Sequence, residues 1–125
     1  MIVLSVTSFI VTSFICHLFY LARTKRDDAR GELAQRIRDW AARLDVRVQA
    51  VTIRKMQRKW ASCSTAGRLT FDESLLSKSR DLQDYVIVHE LLHVSVPNHG
   101  KLWKSLMRAH LGDYERYEEE LRSTT

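Results

Sequence analysis

At 125 residues the chain has room for one small domain and not for two, and with an N-terminal stretch left outside the fold roughly one hundred residues remain for a modest core. Its two cysteines, Cys16 and Cys63, lie far apart and form no CxxC pair, so a disulfide framework is not suggested. The net charge of +5 is uneven, with a balance of +8 over residues 23–70 and −3 over residues 71–125; no nucleic-acid motif accompanies the basic half, so a solvated helix face plus a juxtamembrane cluster explains it better than a nucleic-acid surface.

Residues 1–22 contain no Asp, Glu, Lys or Arg. As a helix they would span about 33 Å, enough for the hydrocarbon core of a bilayer. A membrane anchor is one reading, and Arg23, Lys25 and Arg26 directly after it would hold the rest of the chain on the cytoplasmic side, in keeping with unpaired cysteines. A cleaved secretory signal fits less well, because a basic start is missing and Tyr20 and Ala22 make a poor cleavage site. The competing structural reading rests on Ser5, Thr7, Ser8, Thr12, Ser13 and His17, polar for a span, and on the repeat Val6 to Ile10 and Val11 to Ile15, rich in β-branched residues. That pattern suits a hydrophobic strand or hairpin.

Further along, Asp27 or Asp28 can cap a helix to about Leu44, with Leu33, Ile37, Trp40, Ala41 and Leu44 as one apolar stripe that would cover a sheet. Val46, Val48 and Ala50 alternate, and Val51 and Ile53 continue shifted by one residue, which predicts a strand with a bulge. Trp60 is placed on the next strand, Ser64 to Gly67 supply a turn, and Arg68 to Phe71 return, so a small antiparallel sheet is expected. Leu75 and Leu76 pack the approach to the following helix.

That helix carries His89-Glu90-Leu91-Leu92-His93. Side chains four apart stand on one helix face, so His89 and His93 can each point a ring nitrogen at one metal ion. A catalytic zinc takes three protein ligands, leaves a position for water and lowers that water's pKa toward about 7. Glu90 is then placed to take the water's proton and pass it to a departing amine. A chance HExxH on an amphipathic helix is the plain alternative. Against it, Tyr85 to Val88 are apolar on every side, as are Leu91 and Leu92, and a buried ionisable cluster is costly without a purpose. His99 offers the third ligand, since Pro97 cannot easily continue the helix and the chain should turn there. The interval from His93 to His99 matches metzincin spacing, but Val96 stands at the glycine position and Met107 lies in a helix rather than a Met-turn, so a metzincin is not expected.

After His99, the positions of Leu102, Trp103, Leu106, Met107 and His110 predict a helix ended by Gly112. Trp103 and Leu106 read as core, and His110 as a half-buried residue that could at most orient a ligand. Glu118 to Glu120 read as a solvated face, and Cys63 as a small half-buried residue, not a ligand.

Arg58 to Ser64, Gly67 to Phe71, Asp84 to His93 and Asn98 to Trp103, taken together and in this order, resemble the YgjP-like metallopeptidases, relatives of the SprT-like zincins. The resemblance covers roughly residues 28–122 and is more specific than HExxH alone. It implies a zincin fold and a zinc-dependent peptidase with His89, His93 and His99 as ligands and Glu90 as general base. Ala61 departs from the family's usual glycine, and much of the family's longer N-terminal sheet region is missing. Because such proteins are generally soluble, a translation start downstream of residues 1–22 is a further explanation of that stretch.

The sequence therefore predicts an α+β, minimal zincin-like domain over residues 23–125, preceded by the hydrophobic segment 1–22. It is read as a zinc metallopeptidase holding one Zn2+ ion, acting on peptides in the cytoplasm or at the cytoplasmic membrane face. A substrate strand would pair near Lys59 to Ser64 or Arg68 to Phe71. Arg58, Lys59 and Tyr114 are all candidates to stabilise an oxyanion. The rival readings are a non-catalytic zinc-containing binding module, which would not need Glu90, and a metal-dependent hydrolase of a non-peptide amide.

Overall fold

The computed structural model describes residues 2–96 and 98–124, with side chains from Val11 onward. The chain divides into two compact units, residues 1–32 and 33–125. Helix α1 (Ile2–Arg43) belongs to both, so Asp27 and Asp28 lie inside a helix instead of capping one. The reason is local: Arg23 to Arg26 include neither Gly nor Pro, and nothing there interrupts the backbone ladder. The repeat Val6 to Ile15, for which a strand or hairpin is the rival reading, is helical as well, and it too contains neither Gly nor Pro.

In the first unit Phe14, Leu18, Phe19 and Tyr20 are exposed, and the Thr24 hydroxyl donates to the Tyr20 and Leu21 carbonyls at 2.7 and 3.0 Å. No helix among the described residues is long and apolar enough to cross a membrane. The anchor expected at residues 1–22 falls in part on side chains outside the described ones.

The second unit holds the core. Leu33, Ile37 and Ala41 of α1 are buried as the apolar stripe requires, with Trp40 and Leu44 half-buried beside them. Three strands follow, β1 (Ala50–Arg54), β2 (Ala61–Cys63) and β3 (Arg68–Asp72), in the spatial order β1-β3-β2. β2 and β3 form the expected antiparallel hairpin, in which Gly67 N–H donates to Ser64 O at 3.0 Å and Ser64 N–H to Arg68 O at 2.9 Å. β1 lies on the far edge of β3 and pairs with it in parallel, from Ala50 opposite Arg68 to Arg54 opposite Asp72. The sheet is therefore mixed, because the hairpin places β3 between its two neighbours. The strand expected from Val46 begins only at Ala50: residues 46–49 pass over the turn, where Gln49 N–H donates to Gly67 O at 2.9 Å.

A 3-10 turn (Glu73–Ser77) buries Leu75 and leads into α2 (Arg80–Ser95), which starts where the Ser79 hydroxyl accepts from Leu82 N–H. This N-cap satisfies one of the orphan donors of the first turn. α2 is buried almost all round, through Leu82, Tyr85, Val86, Ile87, Val88, Leu91 and Leu92, in one core cluster with Leu69 and Phe71 of β3. Its start is tied to α1 by Arg36, which donates to the Gln83 side-chain oxygen, to Arg80 O at 2.9 Å and to Asp84 at 2.5 Å, while Trp40 Nε1 donates to Asp84 at 2.8 Å. α2 stops at Ser95; the turn expected at Pro97 falls outside the described residues. Helix α3 (Lys101–Leu111) buries Trp103 and Met107 and ends at Gly112, whose φ of 65° suits glycine. Helix α4 (Glu115–Ser123) closes the chain with Leu121 buried. The α+β architecture is the one expected from sequence.

Candidate metal centre and active site

α2 sets the site. His89 and His93, one turn apart, have ring centroids 4.8 Å apart, and His99, just ahead of α3, brings its ring to 5.0 Å from His89 and 4.6 Å from His93. His93 Nε2 and His99 Nε2 are separated by 2.8 Å. One ring nitrogen from each of the three histidines lies within 4.8 Å of the others, and together they could hold a metal ion. The loop is shaped by Asn98, whose side-chain oxygen accepts from Gly100 N–H at 3.1 Å.

Trp103, one turn beyond His99, forms a wall to the cluster, with centroids at 4.3 Å from His99, 5.0 Å from His89 and 6.1 Å from His93. The expected core tryptophan is therefore also what the three imidazoles rest on. Tyr85, one turn before His89, packs edge-on to that ring at 5.7 Å and stacks on Tyr114 at 6.5 Å.

Burial, and then the neighbouring His93 and His99, push the His89 pKa down to about 4. The ring is neutral near pH 7, the form in which a histidine donates a lone pair to a metal. Its Nδ1 is buried with no hydrogen-bond partner among the described residues. A buried, unanswered ring nitrogen is costly. Three imidazole nitrogens with such an atom among them fit a borderline cation of the zinc type.

Glu90 faces a cleft of about 340 Å³ that reaches the cluster at His89. Burial raises its carboxyl pKa to about 7, against the opposing pull of the Lys59 cation. The cleft has three sides: Lys59, Trp60 and Ala61 at the head of β2, Tyr85 and Val86 on α2, and Glu118, Leu121 and Arg122 on α4. β2 is an edge strand of the sheet, as pairing with an extended peptide would need.

Of the three candidates for an oxyanion donor, Lys59 lines the cleft, whereas Arg58 does not and Tyr114 is buried against Tyr85 and Trp103. His110 is exposed and packs edge-on to Trp40. Cys63 lies outside the histidine group, half-buried, its thiol pKa raised by burial and by Glu90. The acidic run is solvated at Glu119 and Glu120, but Glu118 belongs to the cleft. The contribution of α4 escaped the sequence reading, although Tyr114, Tyr117 and Leu121 recur at helical spacing and mark a face that has to pack.

The model of the family described as YgjP-like, metallopeptidase domain, matches residues 19–124. No curated protein matches this chain. Among solved structures, the metallopeptidase zymogen of Methanocaldococcus jannaschii jannalysin is similar with a TM-score of 0.63 at 24% identity, covering 74% of this chain and 93% of its own. The zymogen of Pyrococcus abyssi abylysin has a TM-score of 0.65 at 17% identity, with the same coverage of 74% and 93%. These likenesses show the fold. With the family match spanning most of its length, the chain belongs to the YgjP-like metallopeptidase family.

Proposed function

We propose that the protein is a zinc-dependent peptidase in which His89, His93 and His99 hold the metal and Glu90 is the general base. The observation that carries this reading is the meeting of a three-histidine group with a half-buried glutamate that lines a cleft bordered by an edge strand. Zinc, when bound, supplies a Lewis acid that polarises a carbonyl and acidifies a water molecule.

The chain's own groups supply the rest. Outward-facing backbone donors and acceptors of β2 align an extended peptide, independently of its sequence. Glu90, with a proton affinity near neutrality, takes a proton from water and returns it to the leaving amine. Lys59 offers a cation to the charge that develops on the carbonyl oxygen. Trp103 keeps the His99 ring, which sits on an exposed loop, in a fixed attitude toward His93.

Replacing Glu90 by Gln keeps the shape of the cleft and removes the base. Hydrolysis of a mixed peptide pool should fall by about 10²–10⁴-fold while zinc content stays at the native level. A Glu90→Gln protein that cleaves at the native rate would refute the assignment. Cleavage of small amides but of no peptide would point to a non-peptide amide hydrolase, and zinc binding without any turnover to a binding module.

A further inference from the structure

Resting on the peptidase reading, the cleft also carries information about which peptides fit. Its inner walls are Trp60, Ala61, Val86 and Leu121, with the Tyr85 ring beside them. Val86 and Leu121 are core residues, 3% and 8% exposed, so that part of the wall is rigid and apolar. The volume of about 340 Å³ accommodates a large side chain.

Two of the cleft's charged groups are paired with each other on α4, where Arg122 stands 3.6 Å from Glu118. A charged side chain entering this space would shed hydration, whereas an apolar one gains contact with Val86, Leu121 and the indole of Trp60. Because His89 and Glu90 line the same cleft, a side chain that fills it belongs to a residue close to the bond being cleaved.

We infer that the space between the head of β2 and helix α4 is a side-chain specificity pocket, and that the enzyme selects peptides with a bulky apolar or aromatic residue flanking the scissile bond. Ala61, half-buried on the strand side, controls its depth. Leu121 closes it from α4.

The test uses the full-length zinc-loaded protein and otherwise identical peptides carrying Phe, Leu, Ala, Glu or Arg at each position flanking the scissile bond. At one position kcat/KM for Phe or Leu should exceed that for Ala, Glu and Arg by about tenfold or more. Ala61→Ile, which fills the pocket, should lower the Phe-to-Ala ratio about tenfold, and Ala61→Gly, which deepens it, should raise the Trp-to-Phe ratio severalfold. Zinc content and thermal unfolding identify any variant that fails to fold. Should Ala61→Ile be one, Leu121→Ala carries the test, with the same rise in the Trp-to-Phe ratio as Ala61→Gly. Native cleavage without preference, a preference for Glu or Arg, or folded variants that leave the ratios unchanged would overturn the pocket and leave the peptidase standing. Failure of the native protein to cleave any peptide would instead remove the peptidase reading, and the pocket with it.

Discussion

Two single residues show how narrowly the site and its frame are specified. Lys59 is the only one of the three oxyanion candidates that lines the cleft. Lys59→Met should lower kcat with little effect on KM, by about 10²-fold if the cation acts chiefly on the transition state, and Lys59→Arg should recover most of the loss. Steady-state kinetics on one good peptide distinguish this from a structural effect, which Arg would not repair. Gly67 is constrained differently: its φ is 86°, and an added Cβ would come within 2.5 Å of the Arg47 carbonyl oxygen. Gly67→Ala combines left-handed strain with a backbone clash, and should cost about 2–4 kcal/mol of stability by urea unfolding.

At the scale of the element, α2 is the part on which the others depend. Its N-cap, Ser79, holds Leu82 N–H, and the removal of that hydroxyl in Ser79→Ala should cost about 1 kcal/mol by thermal unfolding, without loss of zinc. The same helix explains why the centre of the site could be read from sequence. His89 and His93 are tied by the helical repeat itself, and His99 is only a short loop away, so local geometry brings the three together. The cleft walls were less legible. Lys59 to Ala61 and Glu118 to Arg122 meet α2 only through the fold, and no spacing rule links segments so far apart. The parallel pairing of β1 with β3 was hidden for a related reason, since alternation of apolar residues marks a strand but not its neighbour. At Asp27 and Asp28 the error was of another kind: a good capping residue is no boundary when the preceding turn is itself helix-compatible.

The whole molecule joins a small packed unit, residues 33–125, to an N-terminal helical unit, residues 1–32, with the family match running from residue 19 to 124. Within the packed unit one cluster of buried residues serves as core and as the floor of the site. Val86, Leu121, Tyr85 and Trp103 belong both to that core and to the cleft or the histidine wall. Stability and chemistry are therefore coupled in this fold, because a domain of this size has few residues to spare for separate duties. A bound metal should add to stability in proportion to its affinity for the folded chain, so stripping zinc with a chelator should lower the unfolding temperature, and restoring it should reverse the change. The measurement that bears most directly on the account is metal stoichiometry on the purified full-length protein, native and with His89, His93 or His99 each replaced by Ala. One zinc per native chain, lost or greatly weakened in every one of the three variants while their folded helical content persists, is the predicted result; no zinc in the native chain, or zinc retained at native affinity in all three variants, would contradict it.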